Sequence, residues 1–206
     1  MRRLIAALIC IAAVSWSVLA TQHDPSIKAG TAARLGVSDM ASKADLVIEG
    51  QIQDSNVVVG ETGLIETEYL LSVDRTFWGA DLGSRTVRLP GGVLPDGSGM
   101  MIPGMPKLSV GEDVLLFLAP ESEWGMRMPM GLSQGKFRIV TNFSGERRLV
   151  RDDSPLHFVD PVTGELQEGS SSASLDYAAV VAEIHAALAT RLAGPAQPVE
   201  ETEKED

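Results

Sequence analysis

Polar and apolar residues alternate through 45–53 (DLVIEGQIQ), where Leu46, Ile48 and Ile52 stand among polar neighbours. Successive side chains of a strand point to opposite faces, so this pattern predicts a strand with one buried face. Residues 64–78 (LIETEYLLSVDRTFW) follow the turn sequence Gly60-Glu61-Thr62-Gly63 and predict a longer strand with a bend or bulge. Alternation returns at 85–89 (RTVRL). Residues 113–118 (DVLLFL) are apolar almost throughout, as a strand buried on both faces requires. Residues 134–140 (QGKFRIV) and 147–150 flank Asn142-Phe143-Ser144-Gly145 and read as a closing hairpin. Five or more short strands with turn signals between them predict a small barrel or a sandwich.

Helical signals flank this β region. Ser38 in front of 39–43 predicts an N-cap and a short helix that feeds the first strand. Through 175–192, Leu175, Ala179, Ala182, Leu188 and Leu192, with Val181, Ile184 and Ala186 nearby, recur at helical spacing, with Ser174 and Asp176 as candidate caps. That predicts an amphipathic C-terminal helix packed on the sheet. Residues 151–174 are turn-rich. Between 90 and 112 (PGGVLPDGSGMMIPGMPKLSVGE), glycine and proline interrupt the strand pattern. So long a connection is either a binding loop or an irregular hairpin packing its own apolar residues over an open barrel end. Val93, Leu94, Met101, Ile102 and Met105 are its candidate contact residues.

Met1-Arg2-Arg3, an apolar run over 4–16, and Val18-Leu19-Ala20 have the three parts of a secretory signal peptide, with cleavage expected after Ala20. The run is short for a transmembrane helix, so no membrane association is expected after cleavage. The expected organisation is a signal at 1–20, a flexible lead-in at 21–36, one domain at 37–193, and a disordered acidic tail at 194–206. Cys10 is the sole cysteine and would leave with the signal, which removes disulfides, thiol nucleophiles and thiolate ligands. Cysteine-free export points to a bacterial periplasm or medium. Loss of Arg2 and Arg3 would carry the formal charge from −11 to about −13, which disfavours nucleic acid and anionic membrane surfaces.

Some patterns offer chemistry. Gly131-Leu132-Ser133-Gln134-Gly135 fits G-x-S-x-G, and Asp152 or Asp153 with His157 would complete a triad in chain order. The motif works at a strand-to-helix turn, whereas 136–140 reads as strand, so a glycine turn between strands is the simpler reading. Met126, Met128 and Met130 alternate near Trp124 and offer either soft ligands for Cu(I) or core filler. His23, His157 and His185 fit no metal-ligand spacing, and the acidic pairs read as solvated turns. No cofactor is expected.

One series of segments resembles a known group. It comprises Ala44-Asp45-Leu46-Val47-Ile48-Glu49-Gly50, Thr67-Glu68-Tyr69 to Trp78-Gly79, and Val87-Arg88-Leu89-Pro90-Gly91-Gly92. It continues with Gly104-Met105-Pro106, the run from Gly111 to Leu118, and Gly131 to Phe137. Over 40–140 the chain resembles exported bacterial proteins of uncharacterised function, found ahead of or beside matrixin-type metalloproteases. The same order is similar, more distantly, to the OB-type barrel of tissue inhibitors of metalloproteinases and netrin-like domains. The resemblance implies an all-β fold, a five- or six-stranded OB-like barrel with the C-terminal helix packed against it. It also implies a protein partner, in its most specific form an exported protease. Those inhibitors chelate protease zinc through a disulfide-fixed N-terminal cysteine, and nothing from Thr21 onward supplies one, so the barrel carries over without the inhibition. The expectation is a monomeric, non-catalytic exported binding module that makes contact through 90–112. Cu(I) binding at Met126, Met128 and Met130, and hydrolysis at Ser133, are the alternatives.

Overall fold

The structure is a computed structural model describing residues 30–170 and 173–194. The expected signal peptide, residues 21–29 of the lead-in and residues 195–206 of the tail lie outside the described residues.

The chain is mostly β-sheet with a C-terminal helix. In order, the elements are β1 (Gly30–Ala32), α1 (Val37–Lys43), β2 (Leu46–Val59), β3 (Ile65–Trp78), β4 (Ser84–Pro90), β5 (Gly92–Val93), β6 (Gly99–Met100) and β7 (Asp113–Glu121). There follow β8 (Arg127–Pro129), a 3-10 turn (Leu132–Gly135), β9 (Lys136–Thr141), β10 (Arg147–Arg151), β11 (Leu156–Val159), β12 (Leu166–Glu168), β13 (Ala173–Asp176) and α2 (Tyr177–Ala193). The main sheet has eight strands, in the path β13-β10-β9-β7-β2-β3-β4 with β8 beside β7. That is more than the five or six expected. Its two ends are not joined by a ladder; β4 and the approach to β8 share one parallel bridge, Arg88 to Met126.

Two apolar cores lie on opposite faces of this sheet, and the alternation of β2 and β7 assigns residues to them. Val47, Leu115 and Phe117 face the helices, together with Phe137, Ile139 and Leu149. Leu46, Ile48, Val114, Leu116 and Leu118 face the other way, toward Leu71, Val87, Leu89 and Leu108 of the curling β2–β4 sheet. The run at 113–118 is apolar because β7 lies mid-sheet with a core on each side, as its sequence predicts. Burying a side chain such as Phe117 or Leu116 contributes about 1.5–3 kcal/mol. Phe117 and Phe137 meet edge to face, centroids 5.8 Å apart.

The β2–β3 hairpin bends through three register shifts, one of them at Glu49/Gly50. There the backbone of β3 approaches so closely that a Cβ on Gly50 would lie 2.1 Å from the Ser72 carbonyl oxygen. Only glycine fits such a crossing.

The helices differ from expectation in their details. Gly36, not Ser38, is the N-cap of α1, and Ser38 lies in the first turn, its N–H donating to Glu183 Oε1 of α2 at 2.9 Å. Asp176 does cap α2, its Oδ1 accepting from the Ala179 N–H at 2.8 Å. Leu175 and Asp176 belong to β13, so the helix starts at Tyr177. Its buried face is Val180, Ile184, Ala187 and Leu188; Ala179 and Ala182 are exposed, and Leu192 is 74% exposed.

Part of the expected lead-in is ordered. Gly30–Ala32 pairs in parallel with Leu156–Phe158, and β12 adds to the far side of β11. Residues 151–174, expected to be turns, therefore supply three strand segments. Among the described residues no helix is long and apolar enough to cross a membrane.

Candidate functional site

The 90–112 connection divides into two parts with opposite roles. Its first part is a flap: β5 and β6 pair through Gly92–Met100 and Val93–Gly99, closed by a turn in which the Leu94 N–H donates to the Ser98 carbonyl. The flap is fixed to the tip of the β2–β3 hairpin. The Gly91 N–H donates to the Ile65 carbonyl at 2.8 Å, the Thr67 hydroxyl donates to the Gly91 carbonyl at 2.6 Å, and Gly92 rests against the Val57 side chain. From this anchored position Val93 and Met101 are 64% and 66% exposed, and Val59 and Leu64 at the hairpin tip are exposed too.

Its second part turns inward. Leu108 is buried in the core bounded by β2–β4, Met105 packs against that core, and Pro106 is buried. Leu94 and Ile102 are half-buried. Of the five residues expected to form one contact surface, Val93 and Met101 are displayed, Leu94 and Ile102 are half-buried, and Met105 is packed inward.

A cavity of about 410 Å³ opens where the inward part meets β9 and β10. Alternation along β9 explains its lining: Phe137 and Ile139 enter the helix-side core, so Lys136 and Arg138 face the opposite side. Val150 of β10 is in register with Arg138 and lines the cavity beside it. Met105, Pro106, Pro155, Glu112, Asp152 and Ser133 complete the wall together with Lys107. Lys136 Nζ is 2.7 Å from Glu112 Oε1 and donates to the Lys107 carbonyl at 2.9 Å. Glu112 Oε2 accepts from the Ser109 N–H, and Asp152 Oδ1 accepts from the Ser154 N–H and hydroxyl. Arg138 forms no ion pair among the described residues.

Ser133 sits in the 3-10 turn between β8 and β9, a strand–turn–strand setting unlike the strand-to-helix elbow of G-x-S-x-G hydrolases. Gly131 and Leu132 both adopt left-handed backbone, with φ of 61° and 62°. Leu132 is the one non-glycine residue in that region among those described. Ser133 is buried, and its Oγ has no hydrogen-bond partner, so neither Asp152, Asp153 nor His157 is bonded to it. A nucleophile needs a base within hydrogen-bond reach, and Lys136 is already engaged by Glu112. The next residue, Gln134, expected to begin a strand, belongs with Gly135 to the 3-10 turn, and β9 begins at Lys136. Gln134 is fully buried, and its amide accepts from the Leu35 N–H and donates to the Ala33 carbonyl, tying the segment after β1 to the turn.

Met130 packs on the helix-side core and its N–H donates to the Phe117 carbonyl; Met126 is buried, and Met128 is half-buried. Packing accounts for Met126 and Met130. His157 lies on β11, and His185 of α2 packs on the Phe77 ring at 5.7 Å. Among the described residues no group of three or more His, Cys, Asp or Glu side chains is placed to hold a metal ion. Comparison with protein-family models, with curated proteins and with solved structures finds no match.

Proposed function

We propose that this is an exported, non-catalytic binding module that acts as a monomer and grips a protein partner with the β5–β6 flap. The observation that carries the reading is the exposure of Val93 and Met101 on a flap that the Ile65 and Thr67 hydrogen bonds hold in place. A flap whose backbone is already held loses less conformational freedom on binding than a free loop, and exposed apolar patches mark contact surfaces. The display stands out from the surface rather than enclosing a concavity, so it suits a protein surface better than a small molecule. An exported protease as the partner follows from the sequence resemblance alone. The N-terminal pattern of charged, apolar and small residues supports export.

We further read the β2-β3-β4-β8-β7 path as a partly open OB-like barrel. The Arg88–Met126 bridge supports a return from β4 to β8, and β7 pairs with both β8 and β2.

A photo-crosslinking residue at position 93, introduced in the exporting cell, tests the contact, with position 190 on α2 as control. One protein adduct from position 93, none from 190, and its loss in a Met101→Asp background are expected. Equal adducts from both positions, or none from 93, would remove the flap as the contact surface.

A further inference from the structure

We propose that the cavity between β9–β10 and residues 105–107 is a binding site for an organic carboxylate with a compact apolar body. The flap takes no part in it, so this site stands or falls separately from the protein contact.

Each Glu112 oxygen already accepts one hydrogen bond, one from Lys136 and one from the Ser109 N–H. Asp152 Oδ1 is occupied by Ser154. The donors are not exhausted. An ammonium has three N–H groups, and Lys136 uses two of them, on Glu112 and the Lys107 carbonyl. The Arg138 guanidinium is free of any ion pair among the described residues, and the buried Ser133 hydroxyl has no partner. That hydroxyl is closed off from solvent, so the donors a ligand can reach are those of Lys136 and Arg138. Lys107, Lys136 and Arg138 against Glu112 and Asp152 leave the wall with one formal positive charge in excess, in a chain of formal charge −11.

The rest of the wall sets the ligand class. Met105, Pro106, Val150 and Pro155 are apolar, and the cavity volume lies in the range that holds small organic molecules. A planar two-oxygen group matches a guanidinium, and the Glu112 and Asp152 carboxylates disfavour a dianion such as phosphate. The same chemistry is offered by a free organic acid and by the C-terminal carboxylate of a peptide ending in an apolar residue.

Calorimetric titration of the intact chain with 3-phenylpropionate and with acetyl-Ala-Phe, each beside its amide, tests the site and separates the two sources. Expected is saturable binding of at least one acid, about tenfold or more tighter than its amide, weakening with salt. Preference for phenylpropionate assigns a free acid; preference for acetyl-Ala-Phe assigns a chain end. Arg138→Gln, at an exposed position, should lower the affinity while leaving the melting temperature within a degree or two. The proposal fails if neither acid binds, if acid and amide bind alike, or if folded Arg138→Gln keeps the parent affinity.

Discussion

Glu49 and Arg147 lie 98 positions apart in sequence, yet they form an ion pair beside the first residue of α2. Glu49 is buried on β2, on the face that otherwise belongs to the helix-side core. Its second oxygen accepts from the Tyr177 hydroxyl at 2.6 Å, and the Arg147 guanidinium lies 3.9 Å from the Tyr177 ring centre. One carboxylate thus joins the central sheet, the β9–β10 hairpin and the C-terminal helix. Replacing it by alanine leaves Arg147 half-buried and unpaired, and Glu49→Ala should cost about 3 kcal/mol in urea unfolding. Tyr177→Phe, which removes only the hydroxyl, should cost about 1 kcal/mol. Equal losses for the two variants would contradict the arrangement.

The chain has two tyrosines, Tyr69 and Tyr177, and burial raises the ionisation of both phenols above the ordinary 10.0. For Tyr177 the hydrogen bond to Glu49 pushes in the same direction. Phenolate absorbance of the native protein should therefore develop at higher pH than in urea. Because the folded values exceed the unfolded ones, native stability should fall as pH rises above 10.0 through the raised values. Coincident native and denatured titration curves would refute this.

Asp153 is a buried carboxyl whose Oδ1 has no partner, and burial raises its ionisation above the ordinary 3.8 despite Arg151 at 3.0 Å. The protonated form is the better accommodated in the fold. Its contribution is thus present below 3.8 and lost as pH climbs through the raised value. Asp153→Asn, which keeps the shape without the charge, should gain on the parent protein between acid and neutral pH when melting temperatures are compared. A constant offset across that range would contradict the sign.

Gly50→Ala places a methyl group against the Ser72 carbonyl oxygen at the bulge. Either the hairpin shifts or the strands part, at a cost of about 3 kcal/mol. Gly97→Ala is the contrast, because a Cβ there meets no neighbour within 4 Å and only the positive φ opposes it. Chemical denaturation of the two variants should rank them in that order.

On the surface, Val93→Asp with Met101→Asp should leave unfolding free energy within about 0.5 kcal/mol per substitution, since neither side chain contributes to a core. A larger loss would mean that these residues support the fold rather than display it.

Strand segments with a period or an unbroken apolar run are legible in the sequence: those at 45–53, 64–78, 85–89 and 113–118 lie in β2, β3, β4 and β7 apart from Asp45 and Leu64. Gly30–Ala32 is not, because a three-residue strand has no period and owes its state to pairing with Leu156 and its neighbours. The C-terminal helix is legible, with Ile184 and Leu188 of its buried face, but Val180 and Ala187 look no different from Val181 and Ala186 until the sheet beneath them is known. At the site, apolar residues in a glycine-rich loop gave no sign of which ones an anchored flap would turn outward. Ser133 drew notice through a catalytic pattern, whereas its environment depends on Lys136 and Arg138 sharing one face of β9 beside Val150, a relationship set by cross-strand register.

Because alternate residues of β7 belong to opposite faces of the sheet, neither face can lose its packing while the other keeps a complete floor. Melting followed through Phe117 and melting followed through Leu116 should trace one curve. The slowest-exchanging amides should line this single central strand.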